Sequence, residues 1–220
     1  MDYVVNERSF SPNRAPMQLA VLPPADQRST EILASVRGAF VAKGFDGASM
    51  QDLARAAGMS VGNFYRYFPS KAAIITGLIE LDLADIQRDF QVIIGSDHPM
   101  ETMRHVLRHR IEAHMHGNDG DLWTEIQAAA RRVPDICAAA QTMETTVTDC
   151  LVAVFAAETG LPYNEAAARF STSAAFIMVL FKSAACLNCA RNTDQSELKS
   201  MIIRTIDQTL DDVAHSARKA

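Results

Sequence analysis

The sequence lacks a long hydrophobic run and has few cysteines. Its most apolar stretch, around residues 174–181, is too short to span a bilayer and is followed by Lys182. Residues 1–27 are polar, contain four prolines and show no apolar core of a signal peptide. These absences predict a soluble, cytoplasmic protein with no membrane partner, in which the four cysteines are free thiols.

Sequence motifs for catalysis are also missing, because there is no glycine-rich phosphate loop, metalloprotease motif or nucleophile elbow. One helical stripe carries three histidines and a glutamate: His105, His109, Glu112 and His116. Apolar residues occupy the opposite face, so a solvated polar face explains the stripe better than a metal site. Cys186 and Cys189 form a CxxC among alanines, where core packing is a better explanation than redox or metal chemistry. We therefore expect no catalytic residue, no metal and no cofactor.

The charge of the chain is distributed unevenly. The chain has 220 residues, enough for one large or two small domains, and 48% of them are hydrophobic. Its formal net charge is -5. Between Arg28 and Lys71, however, six basic residues stand against three acidic ones. A basic segment on an acidic chain predicts a local anionic partner.

Glycines and prolines fall at intervals that suit helix ends, and no run alternates with a period of two. The pattern predicts an all-α protein. Residues 1–25 are predicted to form a disordered arm, and residues 26 to about 43 a first helix that ends at Gly44. Five further helices are predicted in the body: about 100–116, 121–131, 134–158, 163–190 and 196–217.

Serines predict the starts of three helices between these regions. Ser49 caps a short helix with Asp52 in the capping-box position, and Gly58 suits the left-handed residue that closes it. Ser60 caps a second short helix, residues 61–67, and Ser70 caps a long one that reaches about residue 94. The two short helices and their braces form a helix-turn-helix pattern, although an ordinary helical hairpin has the same spacing.

The chemistry of residues 58–71, GMSVGNFYRYFPSK, favours DNA binding over that alternative. Phe64 and Phe68 are four residues apart and are expected to face the core. Tyr65 and Tyr67 then lie on other faces, where a tyrosine hydroxyl can donate to a phosphate while its ring stays packed. Lys71 occupies a first helical turn, where the helix dipole disfavours a cation unless an anion binds there.

The start of the helix at residues 61–67 is expected to meet the bases, because a recognition helix enters the major groove by its N-terminal end. Gly62 costs about 1 kcal/mol of helix stability relative to alanine. It is either a loosely specified surface position or a place where the backbone approaches the bases. Val61 could contact a thymine methyl group, and Asn63 could bond a base or a phosphate.

Residues 32–78 resemble the DNA-binding domain of the TetR (tetracycline repressor) family of bacterial regulators. The matching residues are Phe40, Gly44, Phe45, Ser49, Leu53, Ala54, Ala57, Gly58, Ser60, Gly62, Tyr65, Tyr67, Phe68 and Lys71. The resemblance implies phosphate contacts from Ser49, Tyr65, Tyr67 and Lys71. It implies that the bases face Val61, Gly62 and Asn63, while Arg66 either joins them or is an ordinary solvated arginine.

The resemblance also implies the domain organisation and the partners. A three-helix helix-turn-helix domain, residues 26–72, would precede a larger helical bundle, residues 73–220, that binds an effector and forms a homodimer. The last two helices would pair with their symmetry mates, unless they are ordinary core helices. Large apolar side chains are candidates for a pocket for a hydrophobic or aromatic effector: Met115, Trp123, Met143, Phe155, Phe176 and Met178.

The function expected from this resemblance is transcriptional regulation. The chain would act as a repressor that leaves a palindromic, double-stranded operator when a small effector binds. Two alternatives remain open at this point: a DNA-binding regulator without an effector, and an enzyme built on the helical body.

Overall fold

The computed structural model describes residues 27–116, 119–185 and 194–217, and every regular element in these ranges is an α-helix. The helices in chain order are α1 (Gln27–Gly47), α2 (Met50–Ala56), α3 (Val61–Tyr67), α4 (Lys71–Ile94), α5 (Pro99–His116), α6 (Asp119–Ala130), α7 (Pro134–Thr159), α8 (Tyr163–Ala185) and α9 (Gln195–Ala217). The all-α prediction is confirmed. The predicted arm, residues 1–25, and both cysteines of the CxxC, Cys186 and Cys189, lie outside the described residues.

The serine caps begin the helices where the sequence predicts. Ser49 and Asp52 form the complete capping box of α2. The Ser60 hydroxyl accepts from the Asn63 N–H at 3.3 Å, and the Ser70 hydroxyl accepts from the N–H three residues on at 3.1 Å. A serine cap typically stabilises a helix by about 1 kcal/mol.

Two glycines shape the chain around α2. Gly58 has a φ of 63°, the left-handed conformation expected after this helix. Gly44 has a φ of 70° and interrupts the helical geometry of α1, which continues as a further turn to Gly47. The predicted end of the first helix at Gly44 therefore corresponds to a kink.

Helices α1–α4 enclose the first part of a continuous core. Val36, Phe40, Leu53 and Phe64 are fully buried. The ring of Phe64 lies 6.1 Å from that of Phe68, which is also buried. The alternation of buried phenylalanines and exposed tyrosines predicted for α3 is therefore present.

Helix α4 extends from this core into the rest of the protein. Its first half buries Ile74 and Leu78 with α1, and its second half buries Phe90 and Ile93 in the bundle of α5–α9. The predicted domain boundary after residue 72 falls within the first turn of this helix. The division into two domains stays a prediction, since one helix is shared by both parts.

The bundle is built around α7, which packs against α4, α6 and α8. Helix α8 buries one face, including Phe170, Ala174 and Ile177, but leaves Phe176 and Val179 exposed on the other. The predicted apolar stripe of α9 faces the bundle: Ile202, Ile206, Leu210 and Val213 are buried. Among the described helices, none is long and apolar enough to cross a membrane.

Candidate DNA-binding surface and effector cavity

Helix α3 presents a polar surface while its one large apolar side chain points inward. Gly62, Asn63 and Arg66 are exposed, and they fall on one side of the helix because Arg66 is four residues after Gly62 and three after Asn63. The side chains of Tyr65 and Tyr67 are also exposed, at 47% and 37%. Four polar side chains and an open backbone position are therefore available to a partner.

Two of the predicted base-facing residues, Val61 and Gly62, lie in the first turn of α3 and differ in how they pack. Val61 is half-buried and packs against the core, so any contact with a base would use only the outer part of its side chain. A Cβ atom added at Gly62 would meet no other atom within 4 Å. Packing within the protein therefore does not require glycine at this position.

Lys71 is held by the end of α1. Its ammonium donates to the carbonyl oxygen of Phe45 at 2.6 Å and to that of Asp46 at 3.1 Å. It also lies 4.9 Å from the centre of the Phe45 ring. A cation suits the carbonyl end of a helix, so α1 compensates for the unfavourable place of Lys71 on α4. A phosphate is not needed to account for this lysine, and the predicted phosphate contact remains a prediction.

The Ser49 hydroxyl is likewise committed to a bond within the protein. It donates its one proton to the Asp52 carboxylate at 2.6 Å, and Lys43 lies 2.7 Å from the same carboxylate. The hydrogen bond from Lys43, followed by those from Ser49, lowers the pKa of Asp52 well below its ordinary value of 3.8. In this arrangement the Ser49 hydroxyl has no proton left for a phosphate.

The body of the protein also contacts the last turn of α1. The Glu125 carboxylate of α6 accepts a hydrogen bond from the Phe45 N–H at 3.0 Å. Arg132, just after α6, pairs with the Asp46 carboxylate at 2.8 Å. A Cβ atom at Gly44 would lie 3.0 Å from the Glu125 carboxylate, so a residue without a side chain suits this approach. Sequence reasoning missed both residues, because these partners are 80 and 86 positions apart.

A cavity of about 440 Å³ lies between α4, α5, α6, α7 and α8. Apolar side chains form most of its wall: Ile86, Phe90, Ile93, Met103, Val106, Leu107, Trp123, Ala140, Met143, Val147, Leu151, Ile177, Met178 and Phe181. Its volume falls within the range of about 300–1,000 Å³ that is typical of small-molecule sites.

The predicted pocket residues divide into three groups. Trp123, Met143 and Met178 line this cavity. Phe155 and Phe176 do not line it: Phe155 is fully buried in the core, and Phe176 is 45% exposed on the outer face of α8. The side chain of Met115 lies outside the part of the chain that the structure describes.

Six charged residues of the cavity wall form three ion pairs that link different helices. The Arg37 guanidinium of α1 makes two short hydrogen bonds to the Asp82 carboxylate of α4, at 2.6 and 2.7 Å. Arg110 of α5 pairs with Asp89 of α4 at 2.5 Å. The third pair joins Lys182 of α8 to Glu144 of α7. None of these six residues was predicted as part of the pocket.

The structure also describes the histidine stripe of α5 and one buried cysteine, Cys150. His105, His109 and Glu112 are exposed, and the described residues contain no group of three or more side chains suited to a metal ion. Burial raises the pKa of the Cys150 thiol to about 12, with a smaller contribution from Asp149. That thiol is therefore protonated at neutral pH and is a poor nucleophile.

Comparison with known proteins places the first helices in a family. Residues 32–78 match the family model of bacterial regulatory proteins of the TetR family. The match covers the helix-turn-helix part of the chain and is a similarity to TetR-family regulators over these residues. The chain is 43% identical over 58 residues to the regulator EthR of Mycolicibacterium smegmatis, a match that covers 26% of this chain and 27% of EthR. It is 35% identical over 82 residues to EthR of Mycobacterium tuberculosis, a match that covers 37% of each protein.

The TetR-family resemblance to solved structures extends over most of the chain but concerns the fold. A TetR transcription regulator from Haloarcula marismortui aligns with a TM-score of 0.67 and 12% identity, covering 84% of this chain and 97% of that protein. NalD of Pseudomonas aeruginosa, the secondary repressor of the MexAB-OprM multidrug efflux pump, aligns with a TM-score of 0.61 and 15% identity, covering 83% and 96%. The nine described helices therefore share the TetR-family architecture, while the sequence matches cover about a third of the relatives.

Proposed function

We propose that the protein is a transcriptional repressor that binds duplex DNA through α3 and leaves its operator when an effector enters the cavity. The observation that carries this proposal is the exposed face of α3 within a TetR-family domain. Gly62, Asn63 and Arg66 would meet base edges, and Tyr65 and Tyr67 would bond the flanking phosphates. Regulators of the TetR family bind operator DNA as dimers and are generally not enzymes, and we propose the same here.

Two of the proposed phosphate contacts compete with bonds inside the protein. Two of the three ammonium donors of Lys71 serve carbonyl oxygens, so one remains for a phosphate. Ser49 would have to release Asp52 before its hydroxyl could donate to DNA. We therefore propose Lys71 as a brace that also contacts a phosphate, and Ser49 mainly as the cap of α2.

We propose a homodimer that uses the outer face of α8 together with α9. Phe176 is 45% exposed and Val179 61% exposed on that face, and Met201 of α9 is 50% exposed. Each chain carries one recognition helix, so a two-fold dimer presents two, and a B-DNA site would need half-sites about 34–36 Å apart. Exposed apolar residues on both helices support this interface.

The cavity favours a regulator with an effector over one without. Its mainly apolar wall, with Trp123, Phe90 and Phe181, suits a hydrophobic molecule of small-ligand size. Helix α4 lines the cavity with its second half and carries Lys71 in its first turn. Ligand binding could therefore change the separation of the two recognition helices, as operator release requires.

The test is to select DNA fragments from a genomic library with the full-length protein, and to repeat the selection with an Asn63→Ala, Arg66→Ala variant. We expect the wild-type protein to enrich a palindromic sequence that the variant enriches poorly. Enrichment of the same sequences by both proteins would show that α3 does not read the bases. If the wild-type protein enriches no sequence, the proposed function as a DNA-binding regulator is wrong.

A further inference from the structure

The cavity wall carries more negative than positive side chains. Four carboxylates line it, Asp82, Asp85, Asp89 and Glu144, against three cations, Arg37, Arg110 and Lys182. Each cation is paired with one of these carboxylates, which accounts for three of the four.

Asp85 is the one carboxylate of the wall whose ion-pair partner lies outside the wall. It pairs with Arg88 of the same helix, which does not line the cavity and whose side chain is 65% exposed. An exposed ion pair between neighbouring turns of one helix is typically weak, because solvent screens it. Asp85 can therefore turn to a ligand cation at little cost.

The neighbouring carboxylate, Asp82, connects the cavity to the DNA-binding part. Asp82 and Asp85 are three residues apart on α4 and so share one face of this helix. The partner of Asp82 is Arg37 of α1, and only 25% of the Arg37 side chain and 18% of the Asp82 side chain are exposed. A bidentate, largely buried pair of this kind fixes the angle between two helices more firmly than an exposed pair does.

Building on the proposed function, we propose that the effector is an apolar molecule with one basic group, and that this group binds Asp82 and Asp85 in competition with Arg37. A ligand cation between the two carboxylates weakens the hold of Asp82 on Arg37. Helix α1, which leads into the turn before α2, is then released from the part of α4 that lines the cavity. An anionic ligand would have to displace a carboxylate from an arginine and would face the surplus negative charge.

Three probes that share one body and differ in the head group test the chemistry: 4-phenylbutylamine, 4-phenylbutanol and 4-phenylbutyrate. The chain has one tryptophan, Trp123, and it lines the cavity, so its fluorescence reports binding at this site. We expect the amine to bind most tightly, and Asp85→Asn to lower the affinity for the amine about tenfold while leaving that for the alcohol unchanged. Equal binding of all three, tighter binding of the carboxylate, or no binding of the amine overturns the proposal.

The route to DNA is tested with two matched variants, Arg37→Gln and Arg110→Gln. Both remove an arginine that pairs with an aspartate of α4 in the cavity wall, but Arg37 lies on α1 and Arg110 on α5. Saturating amine should weaken binding of the wild-type protein to its selected duplex by about 5- to 150-fold, the usual range of allosteric coupling. This factor should approach one in Arg37→Gln and stay near the wild-type value in Arg110→Gln, with the amine still quenching Trp123 in both.

An equal loss in both variants, or none in Arg37→Gln, overturns the role of the Arg37–Asp82 pair. Because fluorescence titration needs no DNA, the effector chemistry is decided even if the protein binds no duplex. A protein that binds no duplex would contradict the proposed regulator function, whatever the result for the effector. Because the Asp85 side chain is 49% exposed, Asp85→Asn should fold, and it keeps the test valid if Arg37→Gln proves too unstable to study.

Discussion

The ammonium of Lys71 lies 2.6 Å from the carbonyl oxygen of Phe45 and so ties the first turn of α4 to the end of α1. The N–H of the same Phe45 residue donates to Glu125 of the bundle. Phe45, in the last turn of α1, is thus hydrogen-bonded both to α4 and to α6. Residues of α6 on either side of Glu125 line the cavity. We therefore expect a change in the bundle to shift the position of α2 and α3.

Replacing Lys71 with methionine, which keeps most of the apolar stem, should destabilise the protein by about 1.5–3 kcal/mol. Two carbonyl oxygens lose charge-assisted hydrogen bonds, and such bonds typically contribute this much. Urea denaturation measures the change. Lys43→Met, which removes an exposed ion pair, serves as the comparison and should cost less than about 1 kcal/mol.

The same Lys71→Met variant also tests the proposed phosphate contact. If the third donor of Lys71 reaches DNA, the slope of log affinity against log salt should decrease by about one for each subunit. An unchanged slope in a folded variant would restrict Lys71 to its bracing role.

Gly62→Ala should separate stability from DNA binding. Alanine at this open position on α3 should raise the free energy of unfolding by about 0.5–1 kcal/mol, because glycine costs helix stability. Operator affinity should fall, since the added methyl group would stand between the backbone and the bases. Gly38→Ala is the matched control: Gly38 is exposed on α1, also has no atom within 4 Å of an added Cβ, and should gain stability with unchanged operator affinity. Tighter operator binding by Gly62→Ala would contradict the placement of α3.

Asp52→Asn should destabilise the protein in a pH-dependent way. The pKa of Asp52 is lower in the folded state than its ordinary value of 3.8, so its stabilising effect is present above about pH 3.8 and is lost as the pH falls towards the folded-state pKa. Thermal denaturation from pH 7 to pH 3 should therefore show a difference between wild type and variant that is constant down to about pH 4 and begins to narrow below it. A difference that grows at low pH would have the wrong sign.

Val179→Lys should convert the protein to monomers, because it places a charge on the proposed dimer face of α8. Val92→Lys is the control, since Val92 is 69% exposed on α4 and lies outside that face. Sedimentation velocity of the two variants distinguishes them. If both remain dimers, the interface lies elsewhere.

Features that depend on neighbouring residues, such as helix starts, could be predicted from the sequence, whereas contacts between distant residues could not. Ser49, Ser60 and Ser70 each act on a backbone group three residues away, so the sequence alone locates the starts of α2, α3 and α4. The Arg37–Asp82 pair spans 45 positions and depends on how α1 crosses α4, which no local pattern specifies.

The pocket illustrates the same difference in apolar residues. Trp123, Phe155 and Phe176 are alike in size and hydrophobicity, yet only Trp123 lines the cavity. Hydrophobic periodicity indicates that a helix has a buried side, but in a bundle the same periodicity serves the core, the cavity and the outer interface. Which of these a side chain meets depends on how the helices pack together.

Sequence-specific DNA binding is tested by a fluorescence-anisotropy competition between the selected duplex and a scrambled duplex of equal length and composition, at physiological salt. We predict that the wild-type protein prefers the selected duplex by about 10³-fold or more, as specific DNA-binding proteins do. We also predict that a single half-site binds much more weakly than the full palindrome. Equal affinity for the selected and scrambled duplexes would contradict the assignment of this chain as a sequence-specific regulator.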